Sequence, residues 1–173
     1  MSETIVIDGY NLIKQWDELI DLEVVSLEEG RKGLIRILAA YKKSRGHDIT
    51  IVFDGWKSDN IGSSHDRIQG VDIIYSGRGE KADEVIKRIS DELRAKVVIV
   101  TSDKAIETHA LKRGSAVIPS ADFEMRVRLV SQEEEYGCFD EEEYQPPTGG
   151  NKKGPARRLS KEERKKQQKL KKL

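Results

Sequence analysis

Short apolar runs alternate along the first part of the chain with segments whose apolar residues recur at helical spacing. The runs predict buried strands, and they cover residues 4–8, 49–54, 71–75, 97–100 and 116–118. The helical spacing predicts amphipathic helices over about 12–22, 27–45, 81–94, 104–113 and 121–131. Residues 55–70 are polar and rich in Gly and Ser, so a loop is expected there.

Alternation of this kind predicts the fold class. Near-continuous apolar strands separated by helices are typical of an α/β protein whose mostly parallel sheet is covered on both faces. We therefore expect three layers, with a central sheet of about five strands. An S-x-x-E sequence at Ser26 and Glu29 predicts the start of the second helix, and Gly46 predicts its end.

Charge divides the chain more sharply than its net value of zero suggests. Residues 151–173 carry 11 Lys/Arg and 2 Asp/Glu, which leaves 20 basic and 29 acidic residues for the rest. We predict a domain over 1–132, an acidic stretch with a Pro/Gly linker over 133–150, and a basic, disordered tail over 151–173. The tail suggests RNA or the ribosome as partner, with a merely solubilising end as the alternative.

Several classes of protein are excluded or disfavoured by what the sequence lacks. It contains no run of 18 apolar residues and no signal-peptide pattern, so we expect a cytoplasmic protein without membrane attachment. Cys138 is the only cysteine, which rules out an internal disulfide. No P-loop, dinucleotide fingerprint, zinc spacing or G-x-S-x-G element occurs.

An aspartate ends, or closely follows, each of three predicted strands. Asp8 and Asp54 end their strands, and Asp103 follows the fourth. The carboxyl ends of parallel strands share one crevice, so these side chains should lie on one rim. Asp83, in the first turn of its helix, should point to the same rim, and we prefer it to Glu84, which leaves the helix about 100° away.

Carboxylates gathered on one rim repel each other, and bound cations or raised pKa values relieve the repulsion. Hard oxygen ligands favour Mg²⁺ or Mn²⁺ over zinc, and such ions suit phosphoryl chemistry. Asn11 is placed to fix the turn or orient a carboxylate. Each acid also has a simpler interpretation: Asp103 caps its own helix, and Asp54 forms a turn with Gly55.

The string Ile7-Asp8-Gly9-Tyr10-Asn11 resembles the opening motif of NYN-domain proteins, a branch of the PIN-like nuclease superfamily. Further matches follow in order at Val52–Gly55, Lys81–Glu84 and Val100–Asp103, and the set is most similar to the YacP-like group. The resemblance covers about residues 3–131, with the tail expected to be a lineage-specific addition. It implies a PIN-like (NYN) fold and a metal-dependent endoribonuclease that leaves a 5′-phosphate and a 3′-hydroxyl.

Carried over by position, the resemblance assigns roles to the rim. Asp8, Asp83 and Asp103 match the metal-binding set, Asn11 matches the motif's asparagine, and Asp54 matches a strand-end acid that assists. The reaction it implies is in-line attack of an activated water on the RNA phosphodiester.

Candidate RNA contacts flank this rim. In the loop after the second strand, Trp56 is suited to stacking a base, and Lys57 and Arg67 are suited to holding phosphates. Arg78 and Lys81 are candidates for guiding the phosphate backbone. The simpler interpretation of the loop is a mobile surface segment.

Two rival functions stay open. One is a non-catalytic RNA- or ribosome-binding module that uses the basic tail. The other is a receiver-like phosphoacceptor domain, which is disfavoured because Gly9 follows Asp8 where adjacent acids are required.

Overall fold

The computed structural model describes residues 3–55 and 64–136. Within them, the strands are β1 Thr4–Asp8, β2 Asp48–Phe53, β3 Ser64–Ile68, β4 Val71–Tyr75, β5 Val97–Val100 and β6 Ala116–Ile118. The helices are α1 Gly9–Ile13, α2 Asp17–Val25, α3 Leu27–Arg45, α4 Ala82–Leu93, α5 Lys104–Arg113 and α6 Ser120–Tyr136. The chain divides into two units, Met1–Phe139 and Asp140–Leu173, and the second lies outside the described residues.

The strands form one sheet in the order β3-β4-β2-β1-β5-β6. Strand β1 lies between β2 and β5 and is parallel to both, with Ile5 opposite Ile49 on one side and Val98 on the other. The β2–β4 and β5–β6 pairs are also parallel. Parallel strands end at the same side of the sheet, so Asp8 and the residues that follow β2, β4 and β5 lie along one edge. We call this side the carboxyl edge.

Helices cover both faces of the sheet, which confirms the predicted three-layer α/β architecture. On one face, residues of α1, α2, α3 and α6 pack with the strands in one buried cluster that includes Ile7, Leu38 and Phe123. On the other face, α4 and α5 form a second cluster that includes Val6 and Ile86. Among the described residues, no helix is both long and apolar enough to cross a membrane.

Helix α3 begins and ends at the residues that the sequence predicts. The Ser26 hydroxyl accepts a hydrogen bond from the Glu29 N–H at 3.1 Å. The reciprocal half of the capping box does not form, because the Ser26 N–H donates to the Leu22 carbonyl of α2. At the other end Gly46 adopts a left-handed conformation with φ of 73°, which glycine takes without steric cost.

The prediction of a loop over residues 55–70 is wrong for residues 64–68. These residues form β3, an antiparallel strand at the edge of the sheet, and within the described part of the chain it pairs with β4 alone. Its side chains are largely exposed, so the strand has no apolar face from which the sequence could predict it. The sheet therefore has one strand more than expected.

The predicted helix over 12–22 is instead two helices. Trp16 interrupts it with an extended backbone (φ −128°, ψ 105°) and is 5% exposed, so the chain turns there to bury the indole.

At the other end of the domain, α6 continues beyond the predicted residue 131 to Tyr136. Glu133, in this extension, forms an exposed ion pair with Arg45 of α3 at 2.8 Å.

Candidate active site

Asp8 is the buried acid at the centre of the carboxyl edge. It is the last residue of β1, is 9% exposed, and precedes α1 as its N-cap. Its Oδ1 accepts a hydrogen bond from the Asn11 N–H, and its Oδ2 accepts one from the Thr101 hydroxyl, both at 3.4 Å. Ile7 pairs with Val100, the last residue of β5. Thr101, which follows β5 directly, therefore lies beside Asp8, which follows Ile7. The register of the sheet thus fixes the contact with Thr101, and the N-cap geometry of α1 fixes the contact with Asn11.

Asp54 and Asp83 are brought to the same edge by the start of α4. Asp54 follows β2, and its Oδ1 accepts a hydrogen bond from the Ala82 N–H at 2.6 Å. The carboxylate of Asp54 therefore satisfies a free N–H at the start of α4, a role that a turn residue alone would not have. Asp83 is the next residue of that helix. Glu84 accepts a bond from the Lys81 N–H, which leaves Asp83 as the acid available to the edge.

The three acids interact electrostatically. Burial raises the pKa of the Asp8 carboxyl from 3.8 to about 6, and it is the largest cause. The negative charges of Asp83 and Asp54 raise this pKa further, against the lowering effect of the Asn11 N–H and the Thr101 hydroxyl. We call Asp8, Asp54 and Asp83 the acidic edge.

Asp103 is connected to the acidic edge through Thr101. Its backbone N–H donates to Thr101 Oγ1 at 3.1 Å, the same hydroxyl that donates to Asp8. Its Oδ1 accepts from the N–H groups of Ala105 and Ile106 at 2.7 and 3.1 Å, so it caps α5. Its Oδ2 accepts no hydrogen bond from the described residues. Capping and ligand binding are therefore compatible at Asp103.

The predicted metal ligands are Asp8, Asp83 and Asp103. Among residues 3–55 and 64–133, no group of three or more His, Cys, Asp or Glu side chains is arranged closely enough to hold an ion. The chemistry of the donors nevertheless fits Mg²⁺ or Mn²⁺, because they are oxygen ligands and a cation would offset both the burial of Asp8 and its repulsion by Asp83, which raise its pKa. Their assignment as metal ligands stays a prediction.

Asn11 joins three elements at the same edge. Its Oδ1 accepts hydrogen bonds from the Ser102 N–H at 2.9 Å and from the Ser120 hydroxyl at 2.7 Å. The Ser120 N–H in turn donates to the Ser102 hydroxyl at 3.1 Å. The amide of Asn11 therefore links α1 to the turn after β5 and to the first residue of α6. This contact positions backbone rather than a carboxylate side chain.

We expect Asn11→Ala to destabilise the fold by about 2–3 kcal/mol, since a buried hydroxyl and a backbone N–H lose their acceptor. Ser120 is fully buried, so water does not easily replace the lost oxygen. Urea unfolding provides the measurement. Ser120→Ala is the matched control: it removes a donor together with its need for a partner, and should cost less than Asn11→Ala. An equal or larger cost for Ser120→Ala would contradict this role of Asn11.

The predicted RNA contacts are distributed unevenly. Trp56 and Lys57 lie outside the described residues. Arg67 lies in β3 opposite Asp72, with which it forms an ion pair at 3.6 Å. That position is three residues from the carboxyl end of β4, about 10 Å away from the carboxyl edge. Arg78 and Lys81 are exposed in the segment that joins β4 to α4, at the carboxyl edge.

Sequence reasoning missed two residues that organise this site, Thr101 and Ser120. Thr101 is 2% exposed and touches both Asp8 and Asp103, and Ser120 bonds to Asn11. A polar residue directly after an apolar strand was the available signal for Thr101. Ser120 precedes the predicted helix over 121–131 as a typical cap residue, but no local signal reveals its bond to Asn11, which lies 109 residues earlier in the chain.

A mostly parallel sheet between two helical layers, with acids along its carboxyl edge, is the arrangement of NYN domains in the PIN-like nuclease superfamily. The chain belongs to the YacP-like NYN domain family, whose model matches residues 5–172. This match confirms the resemblance drawn from the motifs. It also extends into the basic tail, so the expectation that the likeness stops near residue 131 is wrong.

Individual relatives agree with this assignment. The chain is 31% identical over 104 residues to "Uncharacterized protein YacP" of Bacillus subtilis (strain 168), a match that covers 58% of this chain and 61% of that protein. The matched part of this chain thus spans less than two thirds of that relative's length. Two crystal structures of Rae1 (YacP) from Bacillus subtilis, the first a single-substitution variant, match with a TM-score of 0.65. Their identities are 26% and 25%, and the matches cover 78% of this chain and 80% and 79% of theirs.

Proposed function

We propose that the protein is a metal-dependent endoribonuclease that hydrolyses phosphodiester bonds of RNA in the cytoplasm. The observation that carries the proposal is the buried Asp8 carboxyl, whose pKa is raised to about 6 beside Asp83 and Asp54. A carboxylate buried beside two others costs stability when it is ionised, and a bound cation relieves that cost, as protonation does. Membership of the NYN family supports a nuclease or another RNA-related role for such a site.

Asp8, Asp83 and Asp103 are the residues that would hold Mg²⁺ or Mn²⁺, with Asp54 assisting. When bound, the ion supplies a Lewis acid for the phosphate and lowers the pKa of water. Asp54 keeps the start of α4, and therefore Asp83, at the carboxyl edge through its bond to the Ala82 N–H. The Thr101 hydroxyl donates a hydrogen bond to Asp8 and accepts one from the Asp103 N–H, so it connects the two residues.

The remaining residues position the substrate and the backbone. Arg78 and Lys81 are exposed beside the acidic edge, where their charges would offset its repulsion of an RNA phosphate. Asn11 maintains the turn that carries Ser102 and Asp103 through the Ser102 N–H. Trp56, Lys57 and Arg67 remain candidates for further contacts with the RNA.

Cleavage of a labelled single-stranded RNA in Mn²⁺ or in EDTA tests the proposal. Wild type should cut only with the ion, and the double variant with Asp8→Asn and Asp103→Asn should not cut in either condition. The same reactions are repeated with ribosomes added, because the basic tail is suited to a ribosomal partner. Metal-independent cutting, or equal cutting by the double variant, would refute the proposed site.

The alternative function is a non-catalytic RNA- or ribosome-binding module. It is favoured by the charge of residues 151–173, which hold 11 of the 31 basic residues and only 2 of the 31 acidic ones. Such a segment binds polyanions without any need for the acidic edge. Sedimentation with ribosomes, with and without residues 151–173, distinguishes the two functions when it is paired with the cleavage assay. Binding that requires the tail, without cleavage in any condition, favours the module.

A further inference from the structure

Arg31 of α3 lies against a group of three aromatic rings next to the acidic edge. Its guanidinium carbon is 5.8 Å from the ring centre of Tyr10, 5.8 Å from that of Phe53 and 5.6 Å from that of Tyr75. The Phe53 ring packs edge-on to Tyr10 at 5.2 Å and stacks on Tyr75 at 5.9 Å. These distances are those of cation–π contacts, so the rings hold the guanidinium in place.

The three rings lie where β1, β2 and β4 end, along the carboxyl edge. Tyr10 lies two residues after Asp8, Phe53 directly precedes Asp54, and Tyr75 is the last residue of β4. The pKa of the Tyr10 hydroxyl is raised, mainly by burial. Arg31 acts against this increase, and the charge of Asp54 adds a small increase of its own. Arg31 is therefore held at the carboxyl edge, within electrostatic range of the acidic edge.

Part of the guanidinium is free to bind something else. Its Nε–H donates to the Tyr10 hydroxyl at 2.9 Å, which leaves the two terminal NH₂ groups. Within residues 3–55 and 64–133, these groups make no hydrogen bond, and no carboxylate lies within 4.0 Å of Arg31. No buried side-chain nitrogen or oxygen in that part of the chain lacks a partner, so water reaches the free NH₂ groups.

Among the described residues, Arg31 forms no ion pair within 4.0 Å, although its charge is a minor cause of the lowered pKa of Glu28, and in this it differs from other arginines. Several of them pair with acids at 2.5–3.6 Å, namely Arg45, Arg67, Arg88, Arg113 and Arg128. An arginine that is fixed by rings and has two free NH₂ groups has the planar geometry that recognises a phosphate.

We propose that Arg31 binds a non-scissile phosphate of the RNA and so positions the chain across the acidic edge. This inference rests on the proposed function, since it takes RNA as the ligand. Tyr10, Phe53 and Tyr75 orient the guanidinium, and the Tyr10 hydroxyl fixes its Nε side, so that the NH₂ groups face solvent. Arg31 is then a positioning residue that offsets the repulsion between RNA and the carboxylates.

The test measures how the full-length protein binds a fluorescein-labelled RNA of about four nucleotides in EDTA, where no cleavage is expected. Arg31→Met should weaken binding by about tenfold, the usual effect of losing one charge-assisted contact. It should also reduce the slope of log Kd against log salt by about 0.7, the value for one phosphate on a single strand. Arg36→Met is the matched control, because Arg36 is exposed on the same helix and is not among the arginines in contact with these rings.

Two further readouts separate phosphate binding from a structural role. Arg31→Lys keeps the charge and loses the planar fork, so it should recover only part of the affinity. In wild type, the NMR signal of Arg31 Nε should shift when the RNA is added. A purely structural role would instead lower the melting temperature and leave the affinity unchanged.

Each remaining outcome has a definite meaning. Equal losses in Arg31→Met and Arg36→Met, or an Arg31 Nε signal that does not move, would overturn the inference. Displacement of the RNA by an equal concentration of inorganic phosphate would also overturn it, since a free-anion site would explain the binding. If wild type cleaves RNA while Arg31→Met binds it normally, only this inference fails. If wild type neither binds nor cleaves RNA, the proposed function fails as well.

Discussion

Asp8→Asn is expected to reduce the rate of RNA cleavage by at least about a hundredfold while it stabilises the fold at neutral pH. The loss of activity follows from removing a charge that holds the ion, since a metal ion contributes several kcal/mol to such a reaction and each 1.36 kcal/mol is tenfold in rate. The gain in stability follows from removing a buried carboxylate that repels Asp83 and Asp54. A substitution that disturbs the fold lowers activity and stability together, so opposite changes would separate a role of Asp8 in the site from a structural one.

The stability effect should depend on pH in a defined way. The folded-state pKa of about 6 lies above the ordinary 3.8, so folded Asp8 holds its proton more tightly than unfolded Asp8. Below about pH 4 both states are protonated and the carboxyl costs nothing. The cost grows between these two pKa values and is complete above the higher one, at no more than about 3 kcal/mol.

The asparagine has only one acceptor oxygen for the Asn11 N–H and the Thr101 hydroxyl, so we expect a net gain of about 1–2 kcal/mol at pH 7. Urea unfolding in EDTA between pH 4 and pH 7.5 measures it. The exposed Asp122→Asn is the control: it should leave cleavage unchanged and, because Asp122 lies in the first turn of α6, should lower stability by at most about 1 kcal/mol. A variant that is less stable than wild type at pH 7, or equally stabilised at pH 4, would show that Asp8 is not a strained carboxylate.

Gly9→Ala is expected to destabilise the protein by about 3 kcal/mol or more, near the upper limit for overpacking a core. A Cβ atom at Gly9 would lie 2.3–2.9 Å from three atoms of the Phe53 ring. Phe53 is fully buried between Tyr10 and Tyr75, so the ring has no space into which it can move. Because φ of Gly9 is not positive, the cost arises from the collision alone and not from backbone strain.

Gly30→Ala is the matched control for this substitution. Gly30 is also a buried helical glycine, but its added Cβ would come no closer than 3.2 Å to Glu23. Alanine favours the helix by about 1 kcal/mol, which offsets the tighter packing, so the net change should stay within about 1 kcal/mol. Thermal unfolding of both variants decides the matter, and similar melting temperatures would refute the account of Gly9.

The sequence predicted the central part of the fold because its strands are buried on both faces. Strand β5 is apolar throughout and β1 is apolar between Thr4 and Asp8, a pattern typical of strands in a parallel sheet that is covered on both faces. The edge strand β3 escaped prediction for the opposite reason: its residues are mostly exposed, and its pairing with β4 is the only sign of its structure. Trp16 split a predicted helix because burying its ring required a turn.

The part of the candidate site that lies at the ends of strands could be predicted from the sequence. Asp8, Asp54 and Asp83 could be assigned to one edge, since the ends of parallel strands meet there. Asp103 was expected to cap its helix and does so. Arg31 was out of reach of sequence reasoning, because its rings come from residues 10, 53 and 75, and nothing local distinguishes it from a surface arginine. Contacts between distant residues were the part that could not be derived.

The central position of β1 has a consequence for how the protein forms during synthesis. Asp8 and Thr101 are separated by 93 residues, so their contact can form only after β5 has been made. At about 5–20 residues per second, translation leaves β1 without that neighbour for roughly 5–20 s. Such non-local pairing is slow and exposes apolar strand edges to aggregation in the meantime. A nascent chain that stops before residue 97 would therefore carry all three acids of the acidic edge but lack a complete sheet, and with it Thr101 and Asp103.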